Sequence, residues 1–121
     1  MRASAHTDYG TITILRSGGP GLQVCKDKDP PQWVPVPHLE GQDVFIINLG
    51  DLMRRWTNEH YCSTLHRVLP SPGRRQSMAF FHNLNRDALV CNLRKDEEDK
   101  YEPIRAGDFL MQKHLASLNY K

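Results

Sequence analysis

Apolar and polar positions alternate along most of the chain, in short runs broken by glycine and proline, and this pattern predicts strands rather than helices. TITIL (11–15) is β-branched and alternating, and SGGPG (17–21) after it is a strong turn. LQVC (22–25) reads as a short strand, and the charged, proline-rich KDKDPP as a loop. QWVPV (32–36) must be extended, because proline blocks helix and pushes its predecessor to extended geometry. HLEGQD turns the chain again. DVFIINLG (43–50) is the most apolar segment and is expected to be a strand buried on both faces. DLMRRWTN (51–58) predicts one or two helical turns with Asp51 as N-cap. STLHRVL (63–69), SMAFFHNL (77–84) and ALVCNL (88–93) read as further strands, with PSPGRR as a turn and RKDEEDK (94–100) as a solvated charged link. The tail AGDFLMQKHLASLNY predicts a helix capped by Asp108, with Met111, Leu115 and Leu118 on one face.

Many short strands separated by Gly/Pro turns argue for an all-β sandwich or barrel, and a jelly roll is the version best suited to small-molecule chemistry at one mouth. The 121 residues suffice for one domain. We expect residues 1–93 to form the core and 94–121 a charged link with a C-terminal helix. A net charge of +2 is too mild to argue for nucleic acid, and the longest apolar run, VFIINLG, is far short of a membrane span. Three widely spaced cysteines, Cys25, Cys62 and Cys91, fit reduced thiols in a cytosol-like compartment better than a disulfide framework. Oligomeric state is not legible.

The candidate chemistry starts at AHTDYG (5–10), where His6 and Asp8 form an H-x-D pair. Taken alone the pair carries little. Six histidines and 14 acidic residues in 121 predict about 0.7 such H-x-[D/E] pairs by chance, and His38-Leu39-Glu40 is a second one. What changes the picture is the company. His66 lies on a predicted strand, and Arg75-Gln76-Ser77 opens the next one. Two imidazoles and one carboxylate can occupy one face of an octahedral ion, leaving three positions for exchangeable ligands, the arrangement of non-haem Fe(II) oxygenases. Residues at i and i+2 share a face in an extended chain, so Arg75 and Ser77 can grip one carboxylate together.

The segments HTDYGTITIL, GLQV, W-V-P-V, FIINLGDLMRRWTN, YCSTLHRV and RQSMAFF, in this order, resemble the C-terminal catalytic core of the iron/2-oxoglutarate-dependent dioxygenases of the isopenicillin N synthase-like superfamily. The resemblance covers roughly residues 3 to 92. It implies a double-stranded β-helix (jelly roll), with His6, Asp8 and His66 as iron ligands and Arg75 and Ser77 as the anchor for the distal carboxylate of 2-oxoglutarate. It implies a dioxygenase that uses Fe(II), 2-oxoglutarate and O2, with ascorbate as a candidate reductant. Such an enzyme hydroxylates or desaturates a small organic substrate and releases succinate and CO2. Members of the family are longer, so the resemblance also implies a jelly roll incomplete at its N-terminal edge, with the strand that carries the H-x-D pair nearly absent.

Three alternatives stand beside this reading. The chain could be a truncated, catalytically silent relative acting as a binding or structural module. It could be an iron oxidase of the same superfamily that does not use 2-oxoglutarate. Two histidines and a carboxylate also suit a hydrolytic zinc site, but no general base is visible for one and Arg-x-Ser would then be unexplained. His38, His60, His82 and His114 read as structural or surface residues, Trp33 and Trp56 as packing, and Asn48, Asp51 and Asn58 as turn and capping residues. Tyr9 is a weak candidate for the edge of the pocket.

Overall fold

The computed structural model describes residues 3–119. In chain order the elements are β1 (Ala3–His6), β2 (Ile12–Ser17), β3 (Leu22–Lys28), β4 (Pro31–Pro35), β5 (Ile46–Leu49) and α1 (Asp51–Trp56). They continue with β6 (His66–Val68), β7 (Ser77–His82), β8 (Leu89–Val90), β9 (Ile104–Arg105) and α2 (Ala106–Leu118). The mainly β prediction therefore holds, and the fold is a jelly roll. A four-stranded sheet in the order β1-β6-β3-β4 faces a three-stranded sheet in the order β5-β2-β7, and every pairing within them is antiparallel. The end of the tail segment, Tyr120, lies outside the described residues.

The alternation seen in the sequence maps onto this double layer. Thr13 and Leu15 of β2, Leu22 and Val24 of β3, Ile46 and Asn48 of β5, and Ala79 and Phe81 of β7 line one cavity of about 200 Å³ between the sheets. Register enforces this: Thr13 lies opposite Asn48 and Phe81, and Leu15 opposite Ile46 and Ala79. A one-residue slip would turn all of these side chains to the other face.

The same register corrects the expectation for residues 43–50. The strand covers only Ile46–Leu49 and is an edge of its sheet, and exposure of Ile47 shows that one of its faces is open. Ile47, with Phe80 on β7, points to the outer face, and the two are 63% and 61% exposed. A run of apolar residues does not say whether a second layer covers the far face, and among the described residues none covers this one.

The buried hydrophobic cluster lies where α1, β8 and α2 meet. Leu52 of α1, Val90 of β8, and Ala106 and Phe109 of α2 are buried together, with Trp56, Leu84 and Ile104 packed around them. Full burial of side chains such as Leu52 and Phe109 contributes about 1.5–3 kcal/mol each. Trp56 is thus a packing residue, as expected, and Trp33 stacks under the guanidinium of Arg67, 4.0 Å from its ring centre. Residues 88–93 shrink to a two-residue strand paired with β9.

Both helices start differently from expectation. The N-cap of α1 is Gly50 and not Asp51, and no side chain caps it. The first-turn N–H groups instead donate to backbone carbonyls: Gly50 to Thr11, Asp51 to Asp8, and Leu52 to Tyr9 and Gly10. Glycine is required at position 50 for this approach, because a Cβ there would sit 2.3 Å from the carbonyl oxygen of Gly10. The N-cap of α2 is Arg105 and not Asp108. Its first N–H groups, on Ala106 and Gly107, donate to the carbonyls of Ala88 and Arg86. In both places a neighbouring loop does what a capping side chain would do. The helix docks through Ala106 and Phe109, while Met111, Leu115 and Leu118 are exposed. Residues 94–100 are mostly exposed, yet they are tied down. Asn58 donates to Glu97 and to the Glu98 carbonyl, and its own side-chain oxygen accepts from the Lys100 N–H.

Candidate metal centre

His6 ends β1, and Asp8 follows in the loop that leads to β2. Contrary to the expectation that the strand carrying this pair is nearly absent, Ala3–His6 forms a strand paired with β6, although its register is irregular between Ala3 and His6. That pairing sets His6 directly opposite His66. On its other side His66 faces Val24 of β3, so it sits on an inner strand with ladders on both flanks.

The result is a cluster of three groups. The Nε2 atoms of His6 and His66 each lie 3.6 Å from Oδ1 of Asp8, and the two rings stand 4.3 Å apart. One donor atom from each residue falls within 4.8 Å of the others. Metal–ligand bonds of about 2.1 Å at right angles put neighbouring donors about 3 Å apart, so one cation fits the cluster with small adjustments.

The outer contacts decide which atoms face the centre. Nδ1 of His6 lies 2.7 Å from the Ser4 carbonyl, and Nδ1 of His66 lies 2.9 Å from the Thr64 carbonyl. A carbonyl only accepts, so each Nδ1 carries the proton and each neutral ring keeps its lone pair on Nε2, towards the centre. Asp8 is buried at 7% exposure. Its Oδ2 accepts from Thr13 Oγ1 at 2.6 Å and from Asn48 Nδ2 at 2.8 Å, which leaves Oδ1 for the centre. Burial opposes ionisation of Asp8. The protonated form of His6 beside it, the hydrogen bonds from Asn48 and Thr13 and the nearby His66 outweigh it and hold the carboxyl well below the usual range. The nearby Asp8 carboxylate raises the pKa of His6, partly offset by desolvation and helped by the Ser4 carbonyl.

Arg75 and Ser77 line the same cavity as His6, Asp8 and His66. The guanidinium is held by the turn before β3: Nε donates to the carbonyls of Gly19 and Pro20, and Nη2 donates to Ser17 Oγ at 3.0 Å. Nη1 donates to Ser77 Oγ at 3.2 Å, so the two residues form one unit. The other lining residues are mostly apolar, including Leu15, Leu22, Val24, Val68 and Phe81, and the polar ones are Thr13, Asn48 and Thr64. All five residues singled out in the sequence therefore converge on one cavity. His38 lines a groove with Glu40 and Asp43 that none of His6, Asp8 and His66 borders.

Two residues that matter here were read in the sequence only as background. Asn48 was expected to serve turn and capping chemistry, yet it points inward and holds Asp8. The signal was available: it is a polar residue in phase with Ile46 inside the most apolar segment of the chain. Thr13 is the other, its phase shared with Leu15.

Residues 1–84 match the family model described as the 2OG-Fe(II) oxygenase superfamily. The chain belongs to this superfamily. A 2-oxoglutarate-dependent dioxygenase of Aspergillus niger, caaD, is 49% identical over 115 residues, which cover 92% of this chain and 33% of that protein. A 2-oxoglutarate-dependent dioxygenase of Aspergillus rugulosus, htyE, is 37% identical over 99% of this chain and 38% of its own length. The chain thus spans about a third of the length of these relatives. Among solved structures, full-length Neurospora crassa T7H in complex with alpha-KG and thymine superposes with a TM-score of 0.84 at 34% identity, covering 96% of this chain and 37% of that one. The superfamily takes its name from 2-oxoglutarate and Fe(II). The donor set found here, two neutral imidazoles and one carboxylate, fits a ferrous ion.

Proposed function

We propose that the chain forms the catalytic core of an Fe(II)- and 2-oxoglutarate-dependent dioxygenase that oxidises a small organic substrate and releases succinate and CO2. In this reading His6, Asp8 and His66 hold the iron, and Arg75 with Ser77 holds the distal carboxylate of 2-oxoglutarate. The observation that carries it is the convergence of two Nε2 atoms and one carboxylate oxygen on a cavity that Arg75 and Ser77 also line.

Bound iron supplies the redox centre at which O2 is activated with electrons from the 2-oxo acid. The chain's residues supply the rest. The Ser4 and Thr64 carbonyls stop the two imidazoles from rotating, and Thr13 and Asn48 keep one Asp8 oxygen aimed inward. With one anionic and two neutral ligands, a ferrous site keeps net positive charge, which favours an anionic co-substrate. The Arg75 fork matches a carboxylate through parallel hydrogen bonds, and apolar walls strengthen that pairing by excluding water. Relatives named as 2-oxoglutarate-dependent favour this reading over an iron oxidase that dispenses with 2-oxoglutarate.

A second cavity of about 500 Å³ touches His6 and Asp8 and is bounded by Tyr9, Asn83, Leu110 and His114. We assign it to the substrate. Its aromatic, amide and imidazole lining suits a small polar organic molecule, and thymine bound to N. crassa T7H is of that kind. The HTDYG, YCSTLHRV and RQS motifs support an isopenicillin N synthase-like branch, with residues 1–93 as the oxygenase core and 94–121 as link and helix. Unpaired Cys25, Cys62 and Cys91 support a reducing, cytoplasmic setting. No helix among the described residues is long and apolar enough to cross a membrane.

The test is succinate formation from 2-oxoglutarate by the 121-residue chain loaded with Fe(II). Succinate that requires both Fe(II) and O2, and is lost in His66→Ala, supports the proposal. A chain that binds one Fe(II) and one 2-oxoglutarate but makes no succinate is a silent relative.

A further inference from the structure

We infer that Asp51 is a positioning residue for the metal centre, clamping together the two stretches of chain that carry the proposed ligands. The inference rests on the reading of His6, Asp8 and His66 as that centre.

Asp51 is only 8% exposed and its carboxylate is fully engaged. Oδ2 accepts from Thr7 Oγ1 at 3.0 Å and from Lys113 Nζ at 2.8 Å, and Oδ1 accepts from Ser63 Oγ at 2.5 Å. Its backbone N–H donates to the Asp8 carbonyl at 2.8 Å. Thr7 stands between His6 and Asp8. Ser63 immediately precedes Thr64, whose carbonyl orients His66. One carboxylate thus bonds to both ligand-bearing stretches, and Lys113 brings α2 onto the same point while supplying the counter-charge that a buried carboxylate needs.

Helix capping does not explain this residue. The side chain makes no cap bond, and backbone carbonyls already satisfy the first-turn N–H groups. Nor does the sheet make the clamp redundant. The β1–β6 ladder joins the same two stretches from the other side, but with irregular register between Ala3 and His6. Separation of the two stretches by a fraction of an ångström would spread the donor atoms, and metal sites lose affinity steeply when their outer contacts are removed.

The experiment is an anaerobic Co(II) titration of the 121-residue chain, carried out well below the melting temperature of each metal-free variant so that only the folded form is measured. Asp51→Ala is expected to raise the Co(II) Kd about tenfold or more. Asp51→Asn keeps the shape but has a single acceptor oxygen and no charge for Lys113, and should fall between Asp51→Ala and the parent. Thr7→Val and Ser63→Ala, each cutting one tie, should also weaken binding, and they decide the matter if Asp51→Ala does not fold. Variants that melt earlier yet bind Co(II) as tightly as the parent would show a purely structural role and overturn the inference. A parent chain that binds no Co(II) overturns the metal-centre reading itself, and the clamp falls with it.

Discussion

The side-chain amide of Asn48 donates to Oδ2 of Asp8 at 2.8 Å, so the carboxylate presents its other oxygen to both imidazoles. Asn48→Leu removes that donor and leaves a buried carboxylate short of a partner. We predict a metal-free chain less stable by about 1–2 kcal/mol and a metal Kd raised about tenfold or more, read by thermal melting and by metal titration. Unchanged affinity would mean that Thr13 alone orients Asp8.

The His6–Asp8 pair makes the metal-free chain sensitive to pH in a defined direction. The pKa of His6 is raised above 6.5, so its contribution to stability is complete below that value and is lost as pH rises through the folded pKa. The pKa of Asp8 is lowered from 3.8, so its contribution is present above that value and is lost as pH falls through the folded pKa. Together they support the metal-free fold most between about pH 3.8 and 6.5. Metal affinity should run the other way and rise with pH through the His6 titration, because the cation must displace that proton. Chemical denaturation at a series of pH values, with and without Co(II), checks both signs. A metal affinity that is flat across the His6 range contradicts His6 as a ligand.

Arg75→Ala should spare metal binding and weaken 2-oxoglutarate binding by about a hundredfold, the loss of a charge-assisted pair of about 3 kcal/mol. Arg75→Lys should recover only part, because an ammonium offers a point charge and not a fork. Isothermal titration with 2-oxoglutarate on the metal-loaded chain under argon measures this. Equal affinity in Arg75→Ala would remove the residue from the co-substrate site.

Asn58 ties residues 97–100 to the end of α1 and holds a left-handed backbone, φ 52°, while 3% exposed. Asn58→Ala loses three hydrogen bonds and adds backbone strain. It should cost about 2–3 kcal/mol in denaturant unfolding, with Asn58→Gly relieving the strain and not the lost bonds. A cost under about 0.5 kcal/mol in Asn58→Ala would show that the segment holds without it.

What was legible in the chain, and what was not, follows from how each signal is written. Period-two alternation is local, so the strands around Ile14, Val24 and Phe80 could be read directly. The cluster was legible because H-x-D, the strand histidine and Arg-x-Ser resemble a known pattern as a set, although each part is weak alone. The exposed outer face at Ile47 and Phe80 was hidden, because covering layers depend on elements far away in sequence. The helix starts were misread for a related reason. A capping side chain is a local cue, whereas the carbonyls of Asp8, Tyr9 and Gly10 that serve α1 come from across the fold. Asp51 looked like a cap because aspartate before an apolar run usually is one. Its bonds to Thr7 and Ser63 appear only once the chain has closed on itself.

The central claim is that one ferrous ion sits between His6, Asp8 and His66 and presents 2-oxoglutarate to Arg75. The most direct measurement is the visible spectrum of the 121-residue chain with Fe(II) under argon as 2-oxoglutarate is added. A weak absorption band should grow in, saturate at one 2-oxoglutarate per iron and be absent from His66→Ala and Asp8→Ala. A parent chain that retains no iron, or a band of equal strength in both variants, would contradict the claim.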